Sequence, residues 1–559
     1  MTLYFGGRIL TMVGETAQYV EAVVEKDGKI AFTGSLANAE ALFPDAAKFD
    51  LEGRTMMPGH IDPHLHPSMA ALILRMDFIT PFDWTLPSGT YKGVRTQEKY
   101  QSRLNELINA KAKPEETLVT WGYHQYFHGD MSREIIDGIN NTAKNAPVVV
   151  WHRSFHEVYL NTFARSQLDM QEELQKNPQV DWDRGHFFEM GLDALIATKY
   201  FSAIVMPMMM SGYDDLVQIV HQNGLTAVAD LEFPLINEDL EQKKAKEILK
   251  NKRISHFSTY LVPSARNYSK LYGGDNQMAI EHIRELAKEL SDDQLVLYNN
   301  HAKCLCDGAF YSQLMQMKDG YIDGHDGQWI MQPEELEETM RVYWRNGFQI
   351  HVHTNGDLGM QKLLEVVETL NKESPRENHR VTVEHAGYFT EDQADKIAQL
   401  GLLVSAAPYY FYTLADKYIK DGLGTARAQA MVPMKWLFDR GVVTAFHSDF
   451  TMAPSAPLLL AWSAINRVTA DGNTYREDLK VTPYQGMLAI TKNAAIILGT
   501  DDIMGTIEGG KLANFTILEQ NPLAVEPIDI KEIKIYASVY KGKMYIISKT
   551  KVLQDKSNA

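Results

Sequence analysis

From Gly191 to Gly499 the chain alternates short apolar runs with amphipathic stretches such as Glu281 to Leu290 and Pro333 to Arg345. The apolar runs are of strand length and the amphipathic stretches carry helical periodicity, so the pattern is the βα repeat of a parallel sheet covered by helices. The 559 residues exceed one small core and suit a barrel of about 250 residues with additions. An α/β fold is therefore predicted, a (β/α)8 TIM-like barrel whose reactive side chains belong at the carboxyl ends of its strands.

Several of the runs do end in such side chains. Pro58-Gly-His-Ile-Asp-Pro-His-Leu-His66 places His64 and His66 two apart on a predicted strand, Ile61 to Leu65, so both imidazoles leave the same face about 6.6 Å apart, within reach of one ion. Gln349-Ile-His-Val-His353 runs into the turn Thr354-Asn-Gly-Asp357, Val381-Thr-Val-Glu-His385 ends before Ala386-Gly387, and Val442-Val-Thr-Ala-Phe-His-Ser-Asp449 carries Asp449 at its tip. Leu295 to Gly308 brings Lys303 into an otherwise apolar strand, where an unpaired ammonium is costly. Lys303, Leu305 and Asp307 share one face there, and Cys304 and Cys306 share the other.

This set resembles the amidohydrolase superfamily, and most closely its YtcJ-like branch, which includes N-substituted formamide deformylases. The resemblance spans nearly the whole chain. Ala22 to Gly34 and Gly505 to Leu518 are similar to the opening and closing strand hairpins of the family, with Asn514 where aspartate is usual. Ala302-Lys-Cys-Leu-Cys-Asp-Gly-Ala309 is similar to the segment that supplies a carboxylated lysine. The resemblance implies two divalent metal ions, zinc by expectation, one held by His64 and His66, the other by His353 and His385, with Lys303 bridging them as a carbamate. It further implies cleavage of a carbon-nitrogen, amide-type, non-peptide bond of a small molecule by a metal-activated hydroxide, with Asp449 as general base and then general acid. It also implies three regions: a β-sandwich from 1–58 and 500–559, the barrel from 59–84 and 191–499, and an insertion over 85–190 that covers the site and reads as polar helical stretches.

The insertion and neighbouring loops supply substrate-contact candidates. His156, in Trp151-His-Arg-Ser-Phe-His156, is either a pocket residue or a histidine satisfied within the insertion. Glu189, in Gly185-His-Phe-Phe-Glu189, either meets substrate or orients a loop. Met209, in Met206-Pro-Met-Met-Met210, is an adaptable apolar wall or loop filler in the core. Tyr409, in Pro408-Tyr-Tyr-Phe-Tyr412, lines a pocket mouth or belongs to a structural aromatic cluster. His301, His351 and His447 each lie two residues before a proposed site residue and are assigned to packing or to support of the ligands, while Asp307 is assigned to capping the following turn.

The competing readings are a cyclic amide or ester hydrolase or a deaminase of the same superfamily, and a barrel that binds a ligand without turnover. The deaminase lacks the bridging lysine, so Lys303 argues against it. A net charge of -17 without a basic block disfavours nucleic acid and anionic membranes as partners, leaving a small-molecule substrate, with a homodimer as the working expectation. Two cysteines make no disulfide framework and suit a reducing compartment. Thr2 to Thr11 reads as strand, turn, strand rather than a signal peptide, and no apolar run nears the ~20 residues of a membrane span, so a soluble cytoplasmic protein is expected.

Overall fold

The computed structural model describes residues 1–547, so residues 548–559 of the expected terminal domain lie outside the described residues. Met1–His66 together with residues 217–547 form one compact unit, and Pro67–Leu216 form another.

The first unit is organised by two parallel sheets. In one, His60–Leu65 pairs with Leu225–Phe233, that strand with Ser258–Pro263, and that with Leu295–Leu297. In the other, His301–Leu305, Gln349–Thr354, Thr382–His385, Leu403–Ala406 and Thr444–Phe446 lie in chain order. Nearly every residue of these strands is buried, as expected when both faces of a parallel sheet are covered. Single parallel bridges, Leu65 to Phe450 and Ser264 to Lys303, are the links between the sheets; the ladders do not merge into one ring. The run expected from Leu295 to Gly308 is split, because Asn299 and Asn300 favour turn geometry and interrupt the strand between Leu297 and His301.

The helices between strands start and stop for local reasons. Asn276–Leu290 is capped by the Asp275 carboxylate, which accepts from the Gln277 and Met278 amides. Pro333–Arg345 has proline in its first turn, where a missing N–H costs nothing, with Glu334 and Glu335 on the positive end of its dipole. The terminal segments form two further sheets that share one core cluster, including Tyr4, Val23 and Ile30 from one and Met56, Phe515 and Val539 from the other. Thr55–Pro58 pairs antiparallel with Phe515–Leu518, tying the start of the chain to its end.

Within Pro67–Leu216 the expectation of polar helices is corrected. A six-stranded sheet runs Val180–Asp181, His186–Phe188, Glu157–Leu160, Val148–His152, Leu118–Tyr123, Asp77–Phe78. Its central strands read Val-Val-Val-Trp-His and Leu-Val-Thr-Trp-Gly-Tyr, β-branched and aromatic runs whose strand preference outweighs the polar flanks. Met209 lies not in a loop but in the helix Lys199–Gln222, which continues through Pro207, and is fully buried. Among the described residues no single helix is long and apolar enough to cross a membrane.

One close approach here is testable. A Cβ on Gly212 would stand 1.9 Å from the Ala71 carbonyl oxygen of the helix Pro67–Ile73, and neither the Cβ, fixed by its own helix backbone, nor the backbone oxygen can step aside independently. Gly212→Ala is therefore expected to destabilise by about 1–3 kcal/mol, read as a lower urea midpoint. An unchanged midpoint would show that the helices are not in contact there.

Candidate metal centre

The carboxyl ends of the parallel strands bring the motif residues together. His64 and His66 sit at the end of the His60–Leu65 strand with ring centroids 5.1 Å apart. His64 lies 4.8 Å from His385 and 4.4 Å from His447, and His353 lies 4.3 Å from His385, ring to ring. Two sets of candidate ligand atoms fall within 4.8 Å of one another, His64 with His66 and Asp449, and His64 with His385 and His447. His353 lies outside both sets, and its Nε2 accepts from the Asn355 amide at 2.9 Å. Lys303 is 1% exposed, and its charge acts on His64, His385 and His447.

The backbone is strained where these residues cluster. His385, Ala386 and Asp449 have φ of 76°, 50° and 48°, each at a cost of about 1–3 kcal/mol for a residue with a side chain. Surrounding hydrogen bonds hold them there: the Ala386 amide donates to the Thr354 carbonyl at 3.1 Å and the Asp449 amide to the His64 carbonyl at 2.9 Å. Asp62, fully buried, accepts from the Ser448 amide and hydroxyl and from the Ser455 hydroxyl at 3.1, 2.5 and 2.7 Å, fixing the loop that carries Asp449 to the strand that carries His64.

A ring of acceptors orients the imidazoles. Glu384 takes the Nδ1 atoms of His64 and His351 on separate oxygens, each at 2.8 Å. The Ser405 hydroxyl meets His447 Nδ1 at 2.7 Å, and His447 Nε2 lies 3.2 Å from His385 Nδ1. The opposite nitrogens, Nε2 of His64 and of His385, are buried without hydrogen-bond partners. A buried, oriented imidazole nitrogen with no partner is the donor a divalent ion requires, with its other nitrogen held as ligand histidines usually are.

Electrostatics agree with a cation at this place. Burial, and then the charge of Lys303, keep His64 well below the ordinary imidazole pKa, and burial followed by neighbouring His353 does the same for His385, so both are neutral. His66 differs: burial pushes it down, but Asp230 and Asp449 more than reverse this, to about 9. Its Nδ1 is 3.5 Å from Asp230 and its Nε2 3.4 Å from Asp449, an imidazolium between two carboxylates that a metal ion can replace. Burial raises Asp449, yet His66, His447 and Lys303 pull it below the usual carboxylate range. Burial lowers the Lys303 ammonium, against the pull of Glu384, Glu232 and Asp449.

The remaining candidates are placed as follows. His156 Nδ1 pairs with Glu189 at 3.0 Å, so these two are joined to each other within Pro67–Leu216. The ring of Tyr409 packs with Tyr412 at 5.3 Å, whereas that of its neighbour Tyr410 lies 6.5 Å from His385. Asp307 accepts from the Asn355 and Gly356 amides at 2.8 Å each, so it caps the turn after His353 as well as holding the Gln316 amide. Sequence reasoning gave no role to Asp62, Asp230 or Glu232; Glu384 entered only as the neighbour of His385 in a ligand motif, and Tyr410 only within the aromatic run from which Tyr409 was taken. For Asp230 and Glu232 the signal was available, since both interrupt the buried strand Leu225–Phe233 with carboxylates.

Comparison with known proteins places this geometry in context. Residues 48–546 match the amidohydrolase family. The chain is 22% identical to YtcJ of Bacillus subtilis over 97% of this chain and 98% of that protein. It is 21% identical to N-substituted formamide deformylase of Arthrobacter pascens over 93% and 94%, respectively. Among solved structures, an uncharacterized metal-dependent hydrolase of Pyrococcus horikoshii aligns with a TM-score of 0.70 at 19% identity, covering 94% of this chain and 99% of that one.

Proposed function

The chain belongs to the amidohydrolase family, and on that premise we propose that it is a metal-dependent hydrolase cleaving an amide-type bond of a small molecule. The two parallel sheets are read as arcs of one eight-strand barrel, with Leu295–Leu297 and His301–Leu305 as one interrupted strand, and the terminal sheets as a β-sandwich beside it. The observation that carries the reading is the convergence of His64, His66, His385 and Asp449, with the Nε2 atoms of His64 and His385 buried and unpartnered.

His64, His66, His353 and His385 would hold two divalent ions, zinc in our reading, with Lys303 as a further ligand in the form of a carbamate that removes its buried positive charge. Ions so held supply Lewis acidity toward the substrate carbonyl and lower the pKa of water. The chain's own work is proton transfer and orientation. Asp449, ionised at neutral pH, takes a proton from the attacking water and delivers it to the leaving nitrogen, so that amide and water become carboxylic acid and amine, the acid then passing its proton to the amine as carboxylate and ammonium. Glu384 and the Ser405–His447 pair hold the imidazoles from behind. Glu384 adjoins His385 but has both oxygens on His64 and His351 and no exposure, which favours the amide reading over a deaminase that would use it on substrate.

The test is amine release from a panel of N-formyl and N-acyl amines by zinc-loaded protein, repeated after chelation. Release that chelation lowers at least a hundredfold and zinc restores is the expected result. Release indifferent to chelation would refute the metal-dependent reading.

A further inference from the structure

We propose that Tyr410 is a catalytic residue whose phenol donates a hydrogen bond to the acyl oxygen of the substrate and holds that oxygen as negative charge develops on it. The inference rests on the amide-hydrolysis reading above. Tyr410 lies in the first turn of the helix Tyr409–Asp421, directly beyond the carboxyl end of the strand Leu403–Ala406, and its ring is 6.5 Å from that of His385.

The ring is clamped. Phe310 stacks on it at 4.4 Å and 8°, and Tyr311 meets it edge-on at 5.3 Å. The clamp is itself fixed, since a Cβ on Gly387 would stand 2.4 Å from the Phe310 ring, Tyr311 donates its hydroxyl hydrogen to the Met452 carbonyl at 3.0 Å, and Tyr418 donates to the Phe310 carbonyl. Two of the three tyrosine hydroxyls in this cluster are thus taken by backbone. That of Tyr410 has no hydrogen-bond partner among the described residues, although the residue is only 3% exposed.

The Tyr410 hydroxyl is not among the fully buried unpartnered polar atoms of the described residues, so it still meets solvent and a substrate can reach it. A donor that no protein group occupies is free to bond an acyl oxygen when substrate arrives, which is the design of an oxyanion donor. Burial and the negative charge of Asp449 keep the phenol protonated, so it remains a donor throughout the neutral range. A donor on a rigid aromatic stack needs little reorganisation as the acyl oxygen gains charge.

The experiment compares zinc-loaded full-length protein with its Tyr410→Phe variant, which keeps the stack on Phe310 and loses only the hydroxyl. Zinc content is measured in both. Methylphosphonate, a tetrahedral oxyanion probe, is titrated calorimetrically, and kcat and KM are measured on the amide the parent turns over fastest. The expected result is unchanged zinc, methylphosphonate affinity at least tenfold weaker, and kcat lower by about a hundredfold with KM within threefold. Affinity and kcat both within threefold of the parent would overturn the proposal while leaving the hydrolase reading intact. A parent that holds zinc yet neither binds methylphosphonate nor releases amine would overturn both.

Discussion

Replacing Asp449 with asparagine is expected to leave the protein folded and zinc-loaded while lowering kcat by about 10²- to 10⁴-fold. The backbone argument is specific to this residue. Asp449 has φ of 48° and its amide is bonded to the His64 carbonyl; asparagine tolerates the left-handed region as well as aspartate does. The side chain keeps its shape and one oxygen toward His64 and His66, which stand 3.7 and 3.4 Å from Oδ1. What it loses is the ability to take a proton and return it. His66, His447 and Lys303 hold the Asp449 carboxyl below the usual range despite burial, so the parent side chain is ionised and able to accept a proton near neutrality. The measurement is steady-state turnover alongside zinc stoichiometry; undiminished kcat in a zinc-replete variant would remove Asp449 from the chemistry.

How far this was legible in the sequence depends on the scale of the interaction. Pairs such as His64 and His66, or the run ending in Glu384-His385, are set by strand periodicity and a local turn, and the strands appear where those patterns lie. The helix Pro333–Arg345 matched its expected bounds because its start is written in a proline and two glutamates. The six-stranded sheet within Pro67–Leu216 was missed because its short strands, such as Val148–His152, depend on long-range pairing that overrides the polar character of their flanks. The choice of Tyr409 over Tyr410 turned on a helix starting immediately after Pro408: periodicity changes there from 2 to 3.6, and with it the direction in which adjacent rings point. Asp62 and Asp230 act through partners hundreds of residues or a whole strand away, contacts for which a single sequence carries no marker beyond the presence of acid in an apolar run.

Glu384→Gln is expected to weaken zinc binding by about 10- to 100-fold, and the reason lies in proton bookkeeping on two histidines. Each Glu384 oxygen accepts from one Nδ1–H, that of His64 and that of His351, at 2.8 Å. Glutamine offers one acceptor and one donor in the same space, so one of the two histidines must now present a bare Nδ1 and carry its proton on Nε2. For His64 that is the nitrogen otherwise buried without a partner, and a protonated Nε2 cannot bind metal. If His351 yields instead, its Nε2 gains a proton facing His301 Nδ1 at 3.3 Å and the Gln349 amide nitrogen, also at 3.3 Å. The Gln349 amide already donates to the Ile497 carbonyl at 2.7 Å, so turning it to accept would break that bond. The first outcome weakens zinc affinity directly, and the second loosens the support of the strand that carries His353. Competition against a chromogenic chelator measures the affinity, and thermal unfolding of the metal-free variant separates the two routes. A variant that binds zinc as tightly as its parent would mean that His64 is held by its ring contacts with His66, His385 and His447 rather than by the carboxylate behind it.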